Sequence, residues 1–306
     1  MSAEHLRAVR PALELRARLM CALRAFFTDR GFLEVETPLR LRAPAPEVHI
    51  DAEPSGDAWL RTSPELHMKR LLAAGYERIF QVGPCFRRGE YGARHRPEYT
   101  MLEWYRAGAD YHDILADTKA LVLFLAREVL GSTLLRRGGR ELVLEPVWEY
   151  LTVSEAFVRF AGWDPAERYD ADRFDLDLVD KVEPQLPREV PVVLADYPAA
   201  AAALARRKPG NPRVAERWEL YLDGVEIANA YSELTDPAEQ AARFDEWNRA
   251  RAAAGKPVYP LDRDFLAALE KGLPPCAGVA LGVDRLVMLF AGAESLDEVL
   301  PFREEA

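Results

Sequence analysis

Cysteine is scarce in this 306-residue chain: Cys21, Cys85 and Cys276 are far apart, odd in number, and show no C-x-x-C spacing. That pattern excludes a disulfide framework, a zinc ribbon and a dithiol redox centre, and it fits a reducing cytoplasm. No apolar run approaches eighteen residues, so no membrane span is expected. The opening MSAEHLRAVR leads into an amphipathic segment rather than a short apolar core with a cleavage site, so no secretory signal is read. Basic residues are in deficit, 40 against 50 acidic, giving a net charge of −10. Such an excess argues against an extensive phosphate-gripping surface, although Arg87, Arg88, Arg94, His95 and Arg96 form a local basic patch that needs its own account. The G-x-x-x-x-G-K-[ST] and G-x-G-x-x-G phosphate loops are absent, and so is any internal repeat.

What is present reads as alternating short strands and helices. Leu15, Leu19, Leu23, Phe26 and Phe27 fall at helical spacing between Ala12 and Arg30, and Gly31 ends the run. Residues 32–38 alternate as a half-buried strand ended by Pro38, with Leu33, Val35 and Thr37 on one side. The Pro-rich stretch 40–57 reads as loop. Ser63-Pro64-Glu65 has a capping residue, a proline and an acid suited to opening a helix to about Ala74. Strands are expected over 78–82 and 98–108, with the polar loop 86–97 between them. Residues 111–190 read as a helical insertion with a capping box at Thr152–Glu155, and 191–197 as a strand. The run 199–205 is helix-prone, Asp236-Pro237-Ala238-Glu239 opens a helix, and 278–291 is a strand entering a helix. Antiparallel pairing with helices outside predicts a single α+β domain spanning 1–306.

Four constellations carry chemistry. Asp223-Gly224 between alternating residues is a two-residue turn signal. Closing there pairs Leu220 with Ile227 and Glu219 with Ala228, which puts Leu220, Leu222, Val225 and Ile227 on a core face and Glu219, Tyr221 and Glu226 on the other. The two glutamates become diagonal neighbours, roughly 7–8 Å apart at the backbone. They either share a hard cation such as magnesium or belong to a solvated polar face. In the strand from Tyr99, Glu103 lies among aromatics and must be paired with an arginine or face a cationic ligand such as an ammonium. The arginine loop headed by Arg87 is either a polyphosphate clamp or an exposed solubilising loop. Gly278 and Gly282 in the strand before Arg285 mark either close approach of a ligand or tight packing of helix on sheet. Together these parts suit attack of a carboxylate on ATP, a step catalysed mainly by positioning and charge neutralisation.

These segments resemble the three motifs of the class II lysyl-tRNA synthetases. The first helix and strand with Pro38 are similar to motif 1, Cys85 to Glu103 to motif 2, and Gly278 to Leu286 to motif 3. The segments RTSPELHMKRLL, EYTMLEWYR, YSELTDPAEQ and GVALGVDRLVM resemble most closely the elongation factor P lysine aminoacylase family. That likeness implies the class II synthetase catalytic fold without an anticodon-binding OB domain, for which about a hundred further residues would be needed. It implies activation of lysine, preferably the (R)-β isomer, as an adenylate with ATP and Mg2+. Transfer to a lysine side chain of elongation factor P follows in that family, by a cytoplasmic homodimer with no call for tRNA or membrane.

The resemblance also implies roles position by position. Glu65, in Ser63-Pro64-Glu65, would accept the amino group near the substrate carboxyl. Glu103, Tyr105 and Glu233 would hold the side-chain ammonium, with Asn229 nearby, and Ala280 would shape the pocket floor where the synthetases have glycine. Arg87 would bridge the carboxylate and α-phosphate, His95 would contact the outer phosphates, and Arg285 would bind the γ-phosphate beside Gly282. Glu219 and Glu226 would hold magnesium, with Glu226 and Ile227 also in the ATP site. The family's Arg-Asn-Glu is Arg87-Arg88-Gly89 here, so Glu90 would take the adenine contact after a one-residue shift. The family's His-Asn-Pro-Glu is His95-Arg96-Pro97-Glu98, so Arg96 would add a phosphate contact. Two other readings stand beside this one: a truncated synthetase paralogue acting on tRNA or another acceptor, and a non-catalytic lysine- or nucleotide-sensing module.

Overall fold

A computed structural model describes residues 2–302. Its centre is a nine-stranded sheet built from β1 (Leu33–Glu34), β2 (Arg78–Phe86), β3 (Glu98–Ala107), β4 (Glu149–Thr152), β5 (Val192–Pro198), β6 (Arg207–Lys208), β7 (Asn211–Leu222), β8 (Val225–Ser232) and β9 (Cys276–Gly282). The spatial order is β1-β2-β3-β9-β8-β7-β5-β4, with β6 pairing β7. Every pairing is antiparallel except the two at the ends of the path, β1 with β2 and β4 with β5. The α+β expectation therefore holds.

Alternation along the strands sorts the side chains into two faces. Leu102 and Trp104 of β3, Val279 and Leu281 of β9, Ala228 and Ala230 of β8, and Trp218 and Leu220 of β7 enter one core. The helices α1 (Arg10–Thr28), α2 (Tyr111–Leu130) and α3 (Val283–Phe290) cover that face. The buried residues of α1 are the predicted Leu15, Leu19, Leu23, Phe26 and Phe27, joined by Ala12. Phe27 stacks on Phe80 of β2 with ring centroids 4.7 Å apart. The opposite face carries Glu103, Tyr105, Ala280, Asn229 and Glu219 and is flanked by the helices at Glu65–Ala73, Pro237–Ala253 and Arg263–Gly272. This is the face on which chemistry is possible.

Several local expectations need correction. The strand over 32–38 shrinks to Leu33–Glu34, where Phe32 is buried against Phe27 and Leu33 is 51% exposed. The 40–57 loop contains two short strands, Arg40–Leu41 and Pro54–Ser55, which flank Ala58–Leu60 in a small sheet. The insertion is not purely helical. It contains the hairpin Leu134–Arg137/Arg140–Val143 and β4, which extends the main sheet. Its Thr152–Glu155 capping box is present as expected. The 199–205 run forms only a single turn over Ala199–Ala201. Among the described residues no helix is long and apolar enough to cross a membrane.

Candidate active site

The sheet register lines up one transverse row of side chains: Gln81, Glu103, Ala280, Asn229 and Glu219, on β2, β3, β9, β8 and β7. A second row, two residues along, is Ile79, Tyr105, Gly278, Tyr231 and Arg217. Adjacent strands are about 4.8 Å apart, so Glu103 and Glu219 lie roughly 14 Å apart across three strand spacings. The small Ala280 leaves the floor between them open. Gly278 is required sterically, because a Cβ there would overlap the Tyr105 ring.

One end of the row is an acidic pocket. Glu103 is 2% exposed and accepts hydrogen bonds from the Tyr105 hydroxyl at 2.5 Å and the Ser63 hydroxyl at 2.8 Å. No arginine pairs with it among the described residues, so the ion-pair alternative for this carboxylate fails. Ser63 Oγ also accepts from the Glu65 amide at 3.0 Å, and the helix that begins at Glu65 has the buried Pro64, rather than Ser63, at its cap position. One turn on, Lys69 has no exposed side-chain surface and pairs with Glu65 and Glu233, each at 2.5 Å. Burial opposes the charge on Lys69, but Glu233 and Glu65 more than offset it and hold the ammonium above the ordinary lysine range. Burial pushes both Glu103 and Glu233 well above the usual carboxylate range. Hydrogen bonds from Tyr105 and Ser63 partly offset the rise at Glu103, and Lys69 does so at Glu233. Sequence reasoning missed Lys69, although its i,i+4 spacing from Glu65 on a helix was the available signal.

At the other end the hairpin forms around Asp223 and Gly224, both at positive φ (47° and 66°), as a two-residue turn of this kind requires. Arg137 and Arg140 from the insertion pin the Asp223 carboxylate at 2.6 and 2.9 Å. Tyr221 pairs with Glu226 as expected, but beyond it the register slips by one. A bulge sets Ile227 and Ala228 opposite the single Leu220, so Glu219 faces Asn229 rather than Ala228. Glu219 and Glu226 keep the same face. Ile227 is 2% exposed and points into the helix-side core, so its side chain does not line the site.

Glu219 is buried, which excludes the solvated-face alternative for it. Arg217 donates to it at 2.6 Å and the Tyr221 hydroxyl at 2.8 Å. The same Tyr221 oxygen lies 3.1 Å from Glu183, whose carboxyl is pushed up by burial and by the nearby Glu219 and Glu226 charges. Arg217 also donates to Asn229 at 3.2 Å, and Asn229 donates to Tyr231 at 2.9 Å.

The arginine loop closes over this end. Arg285, the third residue of the helix whose cap is Gly282, donates to the backbone and carboxylate of Glu226 at 2.7 and 3.0 Å and to the Arg94 carbonyl at 3.1 Å. Its other arm meets His95 Nε2 at 2.6 Å. Burial, reinforced by Arg285, lowers the His95 pKa, so the ring is neutral and accepts at that nitrogen. The next residue back, Asp284, is buried and receives Arg16 at 2.5 Å and the Thr100 amide at 2.7 Å, fixing α3 to α1 and β3. The Arg87 Nε is buried and has no hydrogen-bond partner among the described residues, while its guanidinium lies 5.3 Å from the Tyr99 ring centre and 3.9 Å from Glu90. A buried cationic donor without a partner is what an anionic ligand would complete. Arg88 is fixed through its backbone amide, 2.7 Å from the Asp51 carbonyl, and Gly89 takes φ 80° in the turn.

Arg96 departs from expectation. It donates to the Gly92 and His95 carbonyls and pairs with Asp297, which orients it as a loop brace rather than as an additional phosphate contact.

Comparison with known proteins accords with this arrangement. A relative from Hamiltonella defensa subsp. Acyrthosiphon pisum (strain 5AT), named elongation factor P–(R)-beta-lysine ligase, is 44% identical over 306 aligned residues, covering 95% of this chain and 94% of that protein. A family model for the tRNA synthetases class II (D, K and N) matches residues 4–306. With that match running over almost the whole sequence, the chain belongs to the class II tRNA synthetase family.

Proposed function

We propose that this protein is an AMP-forming ligase that activates lysine, as its (R)-β isomer, and transfers it to a lysine side chain of elongation factor P. The name of the Hamiltonella defensa relative supports the substrate and the acceptor. The observation that carries the reading is the pairing, on one sheet face, of an acidic pocket (Glu65, Glu103, Glu233) with an arginine, Arg87, whose buried Nε has no hydrogen-bond partner among the described residues and whose one carboxylate neighbour, Glu90, is 3.9 Å away. The first accepts ammonium groups and the second accepts carboxylate and phosphate oxygens.

In the first step a substrate carboxylate oxygen attacks the α-phosphorus of ATP and pyrophosphate leaves. Arg87 neutralises charge on the carboxylate and α-phosphate, and Arg285 with His95 holds the outer phosphates. Arg88, Gly89 and Glu90 line the nucleotide side of the loop. In the second step the acceptor's ε-amino nitrogen attacks the acyl carbon, AMP leaves, and the amine loses a proton. Glu219 and Glu226 fit magnesium in donor chemistry, being two hard carboxylates on one face. Among the described residues no group of three or more metal-ligating side chains occurs, so phosphate and water oxygens would complete the shell. Magnesium held there would neutralise phosphate charge as it shifts to pyrophosphate. Arg217 and Arg285 balance the same two carboxylates within the protein. A homodimer is part of the proposal, supported by Leu33 and Leu39, which are 51% and 43% exposed beside the first strand.

The test is ATP–pyrophosphate exchange with α-lysine, (R)-β-lysine and no amino acid, followed by mass measurement of elongation factor P and of tRNA after incubation. Exchange that depends on a lysine, with a mass gain on the protein acceptor alone, is expected. Charging of tRNA would favour the synthetase-paralogue reading. No exchange with either isomer would favour the sensing module.

A further inference from the structure

The acidic pocket contains a carboxylate that the motifs do not supply. Glu47 sits in the Pro-rich segment between Arg40–Leu41 and Pro54–Ser55, two strands of the small sheet, where the sequence has no periodicity. The structure pins this segment firmly. Arg251, fully buried on the helix Pro237–Ala253, donates to the Glu47 carbonyl at 2.7 Å and the Ile50 carbonyl at 3.0 Å. It also pairs with Asp51 at 2.7 Å. Lys256 donates to the Val48 carbonyl at 3.0 Å and pairs with Asp51 at 3.2 Å. The Asp51 carbonyl in turn accepts the Arg88 amide at the head of the arginine loop, and the Ala52 amide donates to Tyr259 at 2.9 Å. Residues 47–52 thus form a strap fixed through backbone carbonyls to one helix and to the nucleotide loop.

The strap delivers the Glu47 carboxylate to the pocket. Its electrostatic neighbours are Glu65, Arg87, Arg217 and Lys69, and Tyr231 lies within reach of it as well. Those residues come from four other elements and belong to the acidic pocket, the head of the arginine loop and the second row of the sheet face. Burial pushes the Glu47 carboxyl upward, and Glu65 adds to this against the opposing pull of Arg87, Arg217 and Lys69. Among the described residues no side chain hydrogen-bonds or ion-pairs with the carboxylate itself. Lys69 is committed to Glu65 and Glu233, and Arg217 to Glu219 and Asn229. Arg87 has Glu90 at 3.9 Å, so each neighbouring cation has another carboxylate, and a half-buried carboxylate beside a second one is then an unfilled ammonium site.

We propose that Glu47 is a substrate-binding residue that acts with Glu65 on the ammonium group nearest the substrate carboxylate, and so sets which amino-group position is accepted. The inference rests on the functional reading above and deepens it. Glu103 and Glu233 serve the side-chain ammonium in this reading, whereas Glu47 has both Glu65 and Arg87 among its neighbours, and Arg87 is where the substrate carboxylate must be. Two acids around one amine give that end room to discriminate an amine on the second carbon from one on the third.

The test uses the full chain with Glu47→Gln and Glu47→Asp in lysine-dependent ATP–pyrophosphate exchange, with α-lysine and (R)-β-lysine compared. Losing a charge-assisted hydrogen bond is expected to raise the KM for the amino acid about 10- to 100-fold in Glu47→Gln, with the KM for ATP nearly unchanged. Glu47→Asp should retain part of the binding and alter the ratio of the two isomers. A strap role alone predicts neither effect, because Arg251 grips the backbone carbonyl that every substitution keeps. Thermal melting of the ligand-free variants separates loss of fold from loss of binding. An unchanged amino-acid KM in a folded Glu47→Gln protein would overturn the proposal. Absence of exchange by the wild-type chain with any lysine would instead overturn the functional reading, and this inference with it.

Discussion

Replacing Lys69 by Met gives the sharpest test of how the acidic pocket is held together. The Lys69 and Glu233 side chains are both fully buried, and Glu65 is 13% exposed, so the triad is a buried network rather than a surface ion pair. Methionine keeps the apolar stem and removes the charge, leaving two carboxylates without their cation. Breaking a buried pair from one side costs about 3–5 kcal/mol. The sign of the pH dependence follows from Glu233. Its carboxyl is already raised by burial, and Lys69 is the main influence pulling it down. Without Lys69 it rises further. A carboxyl raised in the folded state contributes stability that is fully present below its unfolded value, near 4.5, and is lost as pH rises through the folded value. The wild-type carboxyl is already raised to about 8, so both proteins lose this contribution alike below that pH, and the deficit of Lys69→Met should grow as pH rises above about 8. Urea denaturation of the ligand-free protein, followed by tryptophan fluorescence across this range, measures it. The double variant Lys69→Met/Glu233→Gln should recover a large part of the loss at about pH 10, since no ionised Glu233 is then left unpaired. A deficit under about 1 kcal/mol at about pH 10 would refute the network, because exposed pairs contribute no more than that. So would a deficit independent of pH.

Two further outcomes follow from the same pocket. Gly278→Ala should destabilise the protein by about 1–3 kcal/mol and displace Tyr105 from Glu103, raising the KM for lysine at least about 10-fold while the KM for ATP changes little; differential scanning fluorimetry and exchange kinetics read the two effects. Binding of lysine should release protons near neutral pH, because burial raises the Glu103 and Glu233 carboxyls and an ammonium guest favours their ionised forms; equal calorimetric enthalpies in phosphate and Tris would count against it. The same linkage makes the ligand-free protein lose stability as pH rises from about 4.5 through neutrality, and the lysine-saturated protein lose less.

The sequence disclosed the site unevenly, and the differences have physical causes. Period-2 alternation placed Glu103 and Tyr105 on one face of β3 and Leu102 and Trp104 on the other, and the structure agrees, because both faces of a central strand are buried and a slip would expose one of them. The Asp223-Gly224 turn was legible for the same reason. The bulge at Ile227 and Ala228 was not, since an inserted residue between two apolar positions leaves the hydrophobic pattern almost unchanged. It nevertheless decides that Asn229, not Ala228, lies opposite Glu219. Arg96 read as a phosphate ligand because charge alone carries no direction, and its tie to Asp297 depends on a contact 201 residues away. The insertion hairpin was overlooked although Gly138-Gly139 between LLRR and RELV is itself a turn signal. Glu47 and Arg217 depend on tertiary contacts of this kind, and no local pattern marks either one.

The pocket also shows where ligand selectivity comes from. A surface carboxylate attracts any cation weakly and loses little when it is absent. Here Glu103 is 2% exposed and Glu233 1% exposed, so each is poorly solvated when ionised. The ligand-free protein offsets the problem with one resident ammonium, Lys69, for Glu65 and Glu233, and with neutral donors, Tyr105 and Ser63, for Glu103. Neutral donors stabilise a buried anion less than a cation does, so Glu103 stands to gain most from a guest that brings its own charge. An amino acid with a methylene chain in place of the ammonium would enter the same apolar walls, remove the remaining water, and leave Glu103 without a counter-charge. Rejection of such an analogue should exceed the 10- to 200-fold or so available from shape alone, because the penalty falls on the protein's own unpaired acid. Norleucine is the probe, because it keeps the four side-chain carbons of lysine and lacks the terminal ammonium. Exchange with norleucine at more than about a hundredth of the lysine rate under kcat/KM conditions would mean that Glu103 is satisfied by Tyr105 and Ser63 alone, and that the acidic pocket is a structural feature rather than the source of selectivity.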